Sequence, residues 1–145
     1  MSDAVQVHGP VDYLIIEFQT ERADGSMVEA VLDLVERGII RLYDVLVVRK
    51  DADGTFSGVE LTDLDADHLG GIAAFAGVRS GLLGDEDLAE AANAVAPGAA
   101  AAVLVYENTW AIPFVAAAHS VGAEFVAAGR IAGADLMTAL DALDN

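Results

Sequence analysis

The chain has 145 residues, 54% of them hydrophobic, and 24 acidic against 7 basic side chains, for a formal net charge of −17. Its length suits one domain with a sizeable core, and its apolar content excludes a disordered chain. The charge excludes nucleic acid and anionic membrane surfaces as partners, because a field of this sign repels phosphate and no basic cluster offsets it. Solubility of an apolar chain, or a salt-adapted or high-GC host, accounts for the acidity; a cation or a basic protein partner is the sharper reading. Cysteine is absent, which removes disulfides, thiol catalysis and zinc–thiolate sites. The N-terminal MSDAVQVHGP lacks the basic and apolar regions of a signal peptide. No run of 18 apolar residues occurs, so the expected setting is cytoplasmic, without membrane insertion.

Met1–Pro10 reads as a flexible leader. Val11–Gln19 is almost continuously apolar from Tyr13 to Ile16, a pattern for a central strand covered on both faces or for a strand with one face in an interface. Asp24-Gly25 marks a turn, and Ser26 with Glu29 matches a capping box opening a helix. Val28, Val31, Leu32 and Val35 keep helical spacing on its buried face, and Gly38 stands where a left-handed C-terminal residue is wanted.

Ile39–Lys50 reads as a strand in which Asp44 interrupts one apolar face. Asp51–Gly54 connects it to a returning strand, Thr55–Leu61, as a β-hairpin. A calcium loop fails on spacing, because the sixth position from Asp51 is Phe56 rather than glycine. Asp63–Asp67 caps a short helix near His68–Ala76, with His68 facing solvent. Five glycines crowd residues 70–84, which reads as a connection wrapping the sheet or as a close contact between helices or subunits. No phosphate-binding glycine loop occurs there.

Asp85 suits an N-cap, with Glu86 and Asp87 favourably placed against the helix dipole, and Pro97-Gly98 ends that helix. Ala99–Asn108 is a second apolar strand. A helix follows with Pro113 in its first turns and Gly122 at its end. Glu124–Ile131 reads as a final strand and Ala132–Leu143 as a C-terminal helix with Leu136, Leu140 and Leu143 on one side.

Leu14–Glu17 and Leu104–Glu107 are both apolar triplets closed by glutamate, and each precedes an apolar helix closed by glycine. This points to a repeat. The expected fold is α+β: a ferredoxin-like sandwich from two βαβ halves, about 11–61 and 99–131. An extra hairpin strand, a helical connection over 62–98 with short inserted helices, and a C-terminal helix complete a single domain at 11–145. In such a sandwich the helices lie on one sheet face. The other face, too apolar for water, calls for wrapping helices or a second subunit, and a homo-oligomer is expected.

The order VDYLIIEF, LVERGIIRLYDVLVVRKDADG, a glycine-rich middle and LAEAANAVAPGAAAAVLVYENTW resembles a family of small bacterial proteins known as a domain of unknown function. The resemblance covers about Val11–Ile131. Its most specific pieces are Leu42–Gly54 and Pro97–Glu107. Members are often labelled predicted membrane or stress-related proteins, and their middle carries a glycine zipper. Here that segment is short and broken by Arg79, Asp85 and Glu86, so this chain is similar to the soluble, actinobacterial-type branch. The resemblance implies no catalytic residues.

The three histidines, His8, His68 and His119, show no metal-binding spacing, and no metal or cofactor is expected. His119 shares a helix face with Ile112 and Val115 and reads as a core or interface histidine. Neither Ser80 nor Ser120 sits in a nucleophile elbow. The constellation to follow is Glu17 with Glu107. If their strands are neighbours, the carboxylates can share a cation or ligand, or pair with Arg41 and Arg130. Tyr106, Asn108 and Trp110 beside Glu107, with His119, complete the candidate ligand-binding set. The expected function is a non-enzymatic, self-assembling acidic module, structural or regulatory and stress-related. A small-ligand or cation-binding domain is the alternative, and a dimeric ferredoxin-like enzyme the third reading.

Overall fold

The computed structural model describes residues 7–59, 72–78 and 80–144. Its elements are β1 (Val11–Phe18), α1 (Ser26–Glu36), β2 (Arg41–Lys50), β3 (Phe56–Val59), α2 (Asp85–Ala94), β4 (Ala100–Glu107), α3 (Ile112–Ser120) and α4 (Gly133–Leu143). Short 3-10 turns occupy Thr20–Arg22, Ile72–Phe75 and Thr109–Ala111. Residues 60–71, with the expected acidic cap at Asp63–Asp67, His68, Gly70 and Gly71, lie outside the described set, as do residues 1–6 and Arg79.

Local chemistry sets these boundaries. The Asp24 carboxylate, not Ser26 with Glu29, supports the start of α1: it accepts from both the N–H (3.0 Å) and the hydroxyl (2.7 Å) of Ser26. An aspartate two residues upstream competes well for that backbone donor. Gly38 ends the helix region at φ 71°, the left-handed conformation expected of it. The Asp51–Gly54 connection closes the β2–β3 hairpin as anticipated, with both aspartates accepting from the Thr55 hydroxyl. Pro113 falls in the first turn of α3, where its missing N–H costs nothing.

The strands form an antiparallel sheet in the order β1-β4-β2-β3. β1 and β2 therefore run parallel with β4 between them, and β3 and β4 run parallel with β2 between them. Both crossovers straddle a strand, as in split βαβ units. The mixed α+β class and the antiparallel sheet hold. The second crossover, however, is β3–α2–β4 rather than residues 99–131. The segment 123–132 forms neither strand nor helix and is exposed throughout. It stands across a wide groove from β1, beyond the ~4.8 Å at which strands exchange hydrogen bonds.

Helices cover both faces of the sheet, not one. On the first face Val45, Val47, Ala102 and Leu104 pack with Val28 of α1 and with Ile72 and Phe75, so the glycine-rich connection contributes to the core. On the second, Leu46, Val48, Ala101 and Val103 pack against Ala91, Ala92 and Val95. The alanine run of β4 belongs to the inner strand, buried on both sides, where small side chains let α2 approach closely. Lys50, the one lysine, donates to the carbonyls of Ala92 and Val95 at the C-terminal end of α2, where a cation meets the helix dipole favourably.

β1 is an edge strand, a correction to the central-strand expectation. Leu14, Ile16 and Phe18 turn toward the first core, whereas Val11, Tyr13 and Ile15 are exposed on the second face. α2 packs on β2, β3 and β4 there. Among the described residues no helix is long and apolar enough to cross a membrane.

Candidate functional site

A bulge in β2 organises the polar centre. Leu42 pairs with Tyr106 and Asp44 with Val105, leaving Tyr43 as the extra residue. A bulge re-aims side chains. Here it directs the Tyr43 hydroxyl onto Glu107 Oε1 at 2.7 Å and sets Asp44 on the same face as Glu107.

Glu107 is 2% exposed at the end of β4. Its Oε2 accepts the Gly9 N–H at 2.7 Å, and His8 Nδ1 lies 3.7 Å away, an ion pair when the imidazole is protonated. Burial pushes the Glu107 carboxyl up, but the Tyr43 hydroxyl, the Gly9 N–H and the charges of His8 and Arg41 outweigh it and hold the group below its ordinary value. The same bond to Glu107, with burial, raises the Tyr43 phenol. Arg41 stacks over the Tyr43 ring, 5.6 Å from its centre.

This carboxylate is a clamp on the segment before β1. Asn108 adds two bonds to the Pro10 carbonyl, from its backbone N–H (2.8 Å) and its side-chain amide (2.9 Å). Gly9 is required by close approach: a methyl group there would overlap the Asn108 carbonyl. Gly9 and Pro10 are thus tied to the end of β4, while residues 1–6 of the expected flexible leader lie outside the described residues.

Asp44, fully buried, holds a second segment. It accepts from the Ser80 N–H (3.0 Å), the Ser80 hydroxyl (2.8 Å) and the Leu83 N–H (3.1 Å). Burial raises its carboxyl, but these donors win and lower it. Asp44 fixes the end of the glycine-rich connection just before α2.

Glu17 and Glu107 do not meet. β1 and β4 are antiparallel, with Val11 opposite Glu107 and Glu17 opposite Ala101, so the two carboxyl ends lie at opposite ends of the sheet. Six residues of strand separate them by roughly 20 Å. Glu17 instead accepts the Ala96 N–H at 2.6 Å, at the entry to β4. Tyr106, Asn108 and Trp110 do come together. They line an open groove of about 1140 Å³ with Pro10–Ile15 on one side and Ala128–Ile131 on the other. Asn108 also bonds Asp12 and the Trp110 indole there. His119 stands apart, exposed at the rim of a cleft of about 350 Å³ shared with His8, Glu124 and Phe125. Its helix buries Val115 instead, so the core-histidine expectation does not hold. Among the described residues no group of three metal-ligating side chains converges.

Residues 7–144 match the model of a family of unknown function, DUF6325. The chain belongs to that family. No curated protein matches the chain, and no solved structure does. The matched span takes in both the clamped residues before β1 and the whole of α4.

Tyr43, Gly9 and Asp44 were not among the residues singled out from sequence. The apolar-face interruption at Asp44 was visible, and so was Gly9-Pro10 directly before a strand. Neither signal identified a partner.

Proposed function

We propose that this DUF6325 member is a non-enzymatic, self-assembling acidic module, structural or regulatory in role. One observation carries the reading: Tyr13, 67% exposed, stands with Val11 and Ile15 on an uncovered face of an edge strand. A bare apolar strand is an aggregation liability unless something of the right shape covers it. The buried carboxylates support the non-enzymatic part. Glu107 and Asp44 are saturated by N–H and O–H donors that hold chain segments, and their lowered pKa values suit fixed acceptors rather than general acids. A stress-related bacterial setting belongs to the proposal through the family resemblance, and a cytoplasmic one through the sequence, which has no signal-peptide pattern and no long apolar run. The βαββαβ order with two split crossovers is the part of the fold that fits the ferredoxin-like reading, whereas the helices on both sheet faces depart from it.

Size-exclusion chromatography with light scattering, comparing wild type with Tyr13→Asp, tests the proposal. A wild-type assembly that Tyr13→Asp weakens is expected; a wild type monomeric at micromolar concentration removes it. A second reading, small-ligand binding, draws on the convergence of Tyr106, Asn108 and Trp110 in one groove. A thermal shift by a metabolite that is lost in Trp110→Ala supports it, and the absence of any shift across a metal and metabolite panel counts against it.

A further inference from the structure

The segment after α3 is unusual. Every described residue from His119 to Asp144 is exposed, although the segment carries an 11-residue helix. On α4, Leu136, Leu140 and Leu143 follow i, i+4, i+7 spacing with Met137 beside them, and all four are exposed. Such a stripe is normally a helix's buried side. The same chain leaves Val11, Tyr13 and Ile15 bare on β1. Two complementary apolar surfaces are thus present in one molecule and do not meet.

We infer that α4 is an exchanged arm: the α4 stripe of one copy covers the bare β1 face of a second copy, and the second returns the contact. This deepens the self-assembly reading and rests on it.

Dimensions fit. An 11-residue helix is about 16 Å long. Val11 to Ile15 spans roughly 14 Å of strand. A helix lying there would fill the position beside α2, over the strand that α2 leaves open.

Charge favours a second copy through this contact. Two chains of net charge −17 repel, so they associate where both surfaces lack charge. The leucine–methionine stripe and the Val11–Tyr13–Ile15 face have that property.

Area is in the range of a dimer contact, because each copy of an exchanged pair contributes both surfaces. Tyr13, 67% exposed, offers about 130 Å² of the ~200 Å² of a tyrosine side chain. The exposed parts of Val11, Ile15 and the four apolar side chains of the α4 stripe add about 300 Å², at roughly 60–120 Å² for each when fully buried. That is near half of the ~800 Å² per partner in a standard interface, before backbone and flanking side chains are counted.

The connection permits exchange. Residues 123–132 form neither strand nor helix and are exposed throughout, so they can carry α4 away from its own body. Ala132 accepts the N–H groups of Asp135 and Leu136, which starts α4 just beyond the groove beside β1. Exchange of an identical element is a low-cost route to a closed two-fold dimer.

The chain has no cysteine, so introduced thiols report the contact directly. Ile15→Cys and Leu140→Cys chains are mixed and mildly oxidised. Exchange predicts a covalent heterodimer at twice the 15.0 kDa chain mass. The double variant should give interchain products, and Leu140→Asp should turn the wild-type dimer into a monomer with an unchanged melting temperature for the body. An intrachain disulfide in the double variant overturns exchange in favour of fold-back. A wild-type dimer that Leu140→Asp leaves intact, with no heterodimer cross-link, overturns the arm but leaves self-assembly standing. A monomeric wild type overturns both.

Discussion

Replacing Glu107 tests whether a buried carboxylate holds the chain before β1. Glu107→Ala removes the acceptor of two short bonds, from Tyr43 and Gly9, at 2.7 Å each. Bonds to a charged acceptor contribute ~1.5–3 kcal/mol apiece. His8 is largely exposed, so its pairing adds little, on the order of 0–1 kcal/mol. The expected loss is about 3–6 kcal/mol, a drop of about 1.5–3 M in the urea midpoint at a slope of ~2 kcal/mol/M. Glu107→Gln keeps one acceptor for Tyr43 but turns an NH₂ toward the Gly9 N–H, so roughly half of that loss is expected. The difference between wild type and Glu107→Gln should also depend on pH. Folding holds the Glu107 carboxyl below its ordinary value. Its contribution is therefore complete above about pH 5, and is lost as pH falls through ~4.3 and then through the lower folded value. Urea titrations at pH 7 and pH 3 measure both effects. A Gln variant within ~0.5 kcal/mol of wild type at pH 7, or a difference that is the same at both pH values, refutes the clamp.

Asp44→Ala leaves three donors of residues 80–83 without their acceptor and should cost about 2–4 kcal/mol by chemical denaturation, with faster hydrogen exchange at Ser80 and Leu83. Slow exchange retained there would contradict the role given to Asp44. Gly9→Ala forces a methyl group against the Asn108 carbonyl and should destabilise by ~1–3 kcal/mol while freeing residues 7–10 to exchange. A neutral Gly9→Ala variant would show that this close approach is not required. Raising salt from 0.1 to 1 M shortens the screening length from ~10 to ~3 Å and should tighten self-association of a −17 chain. Analytical ultracentrifugation measures this, and weaker association at high salt would point to ion pairs rather than an apolar contact.

Elements set by local chemistry were legible in the sequence. The Asp51–Gly54 hairpin, the Gly38 terminus and the α4 stripe are specified by residues a few positions apart. Strand order was not, because it depends on pairings between residues far apart. The apolar run of β1 suggested a central strand, yet its second face is bare. The true inner strand, β4, was marked by an alanine run, which shows what small side chains permit only once α2 is seen against it. Glu124–Ile131 has strand composition, yet it stands across a groove from the free edge of β1 without pairing to it. Glu107 drew attention as half of a repeated pair, but the antiparallel β1–β4 ladder separates that pair. Its real partners come from a bulge and from Gly9, which no spacing rule connects to position 107.

The most direct test of the account is the solution mass of the wild-type chain. Light scattering across a dilution series at micromolar concentration should give twice the 15.0 kDa chain mass, falling toward one chain on dilution. A single-chain mass throughout, with Tyr13 and the leucines of α4 exposed to water, would contradict it.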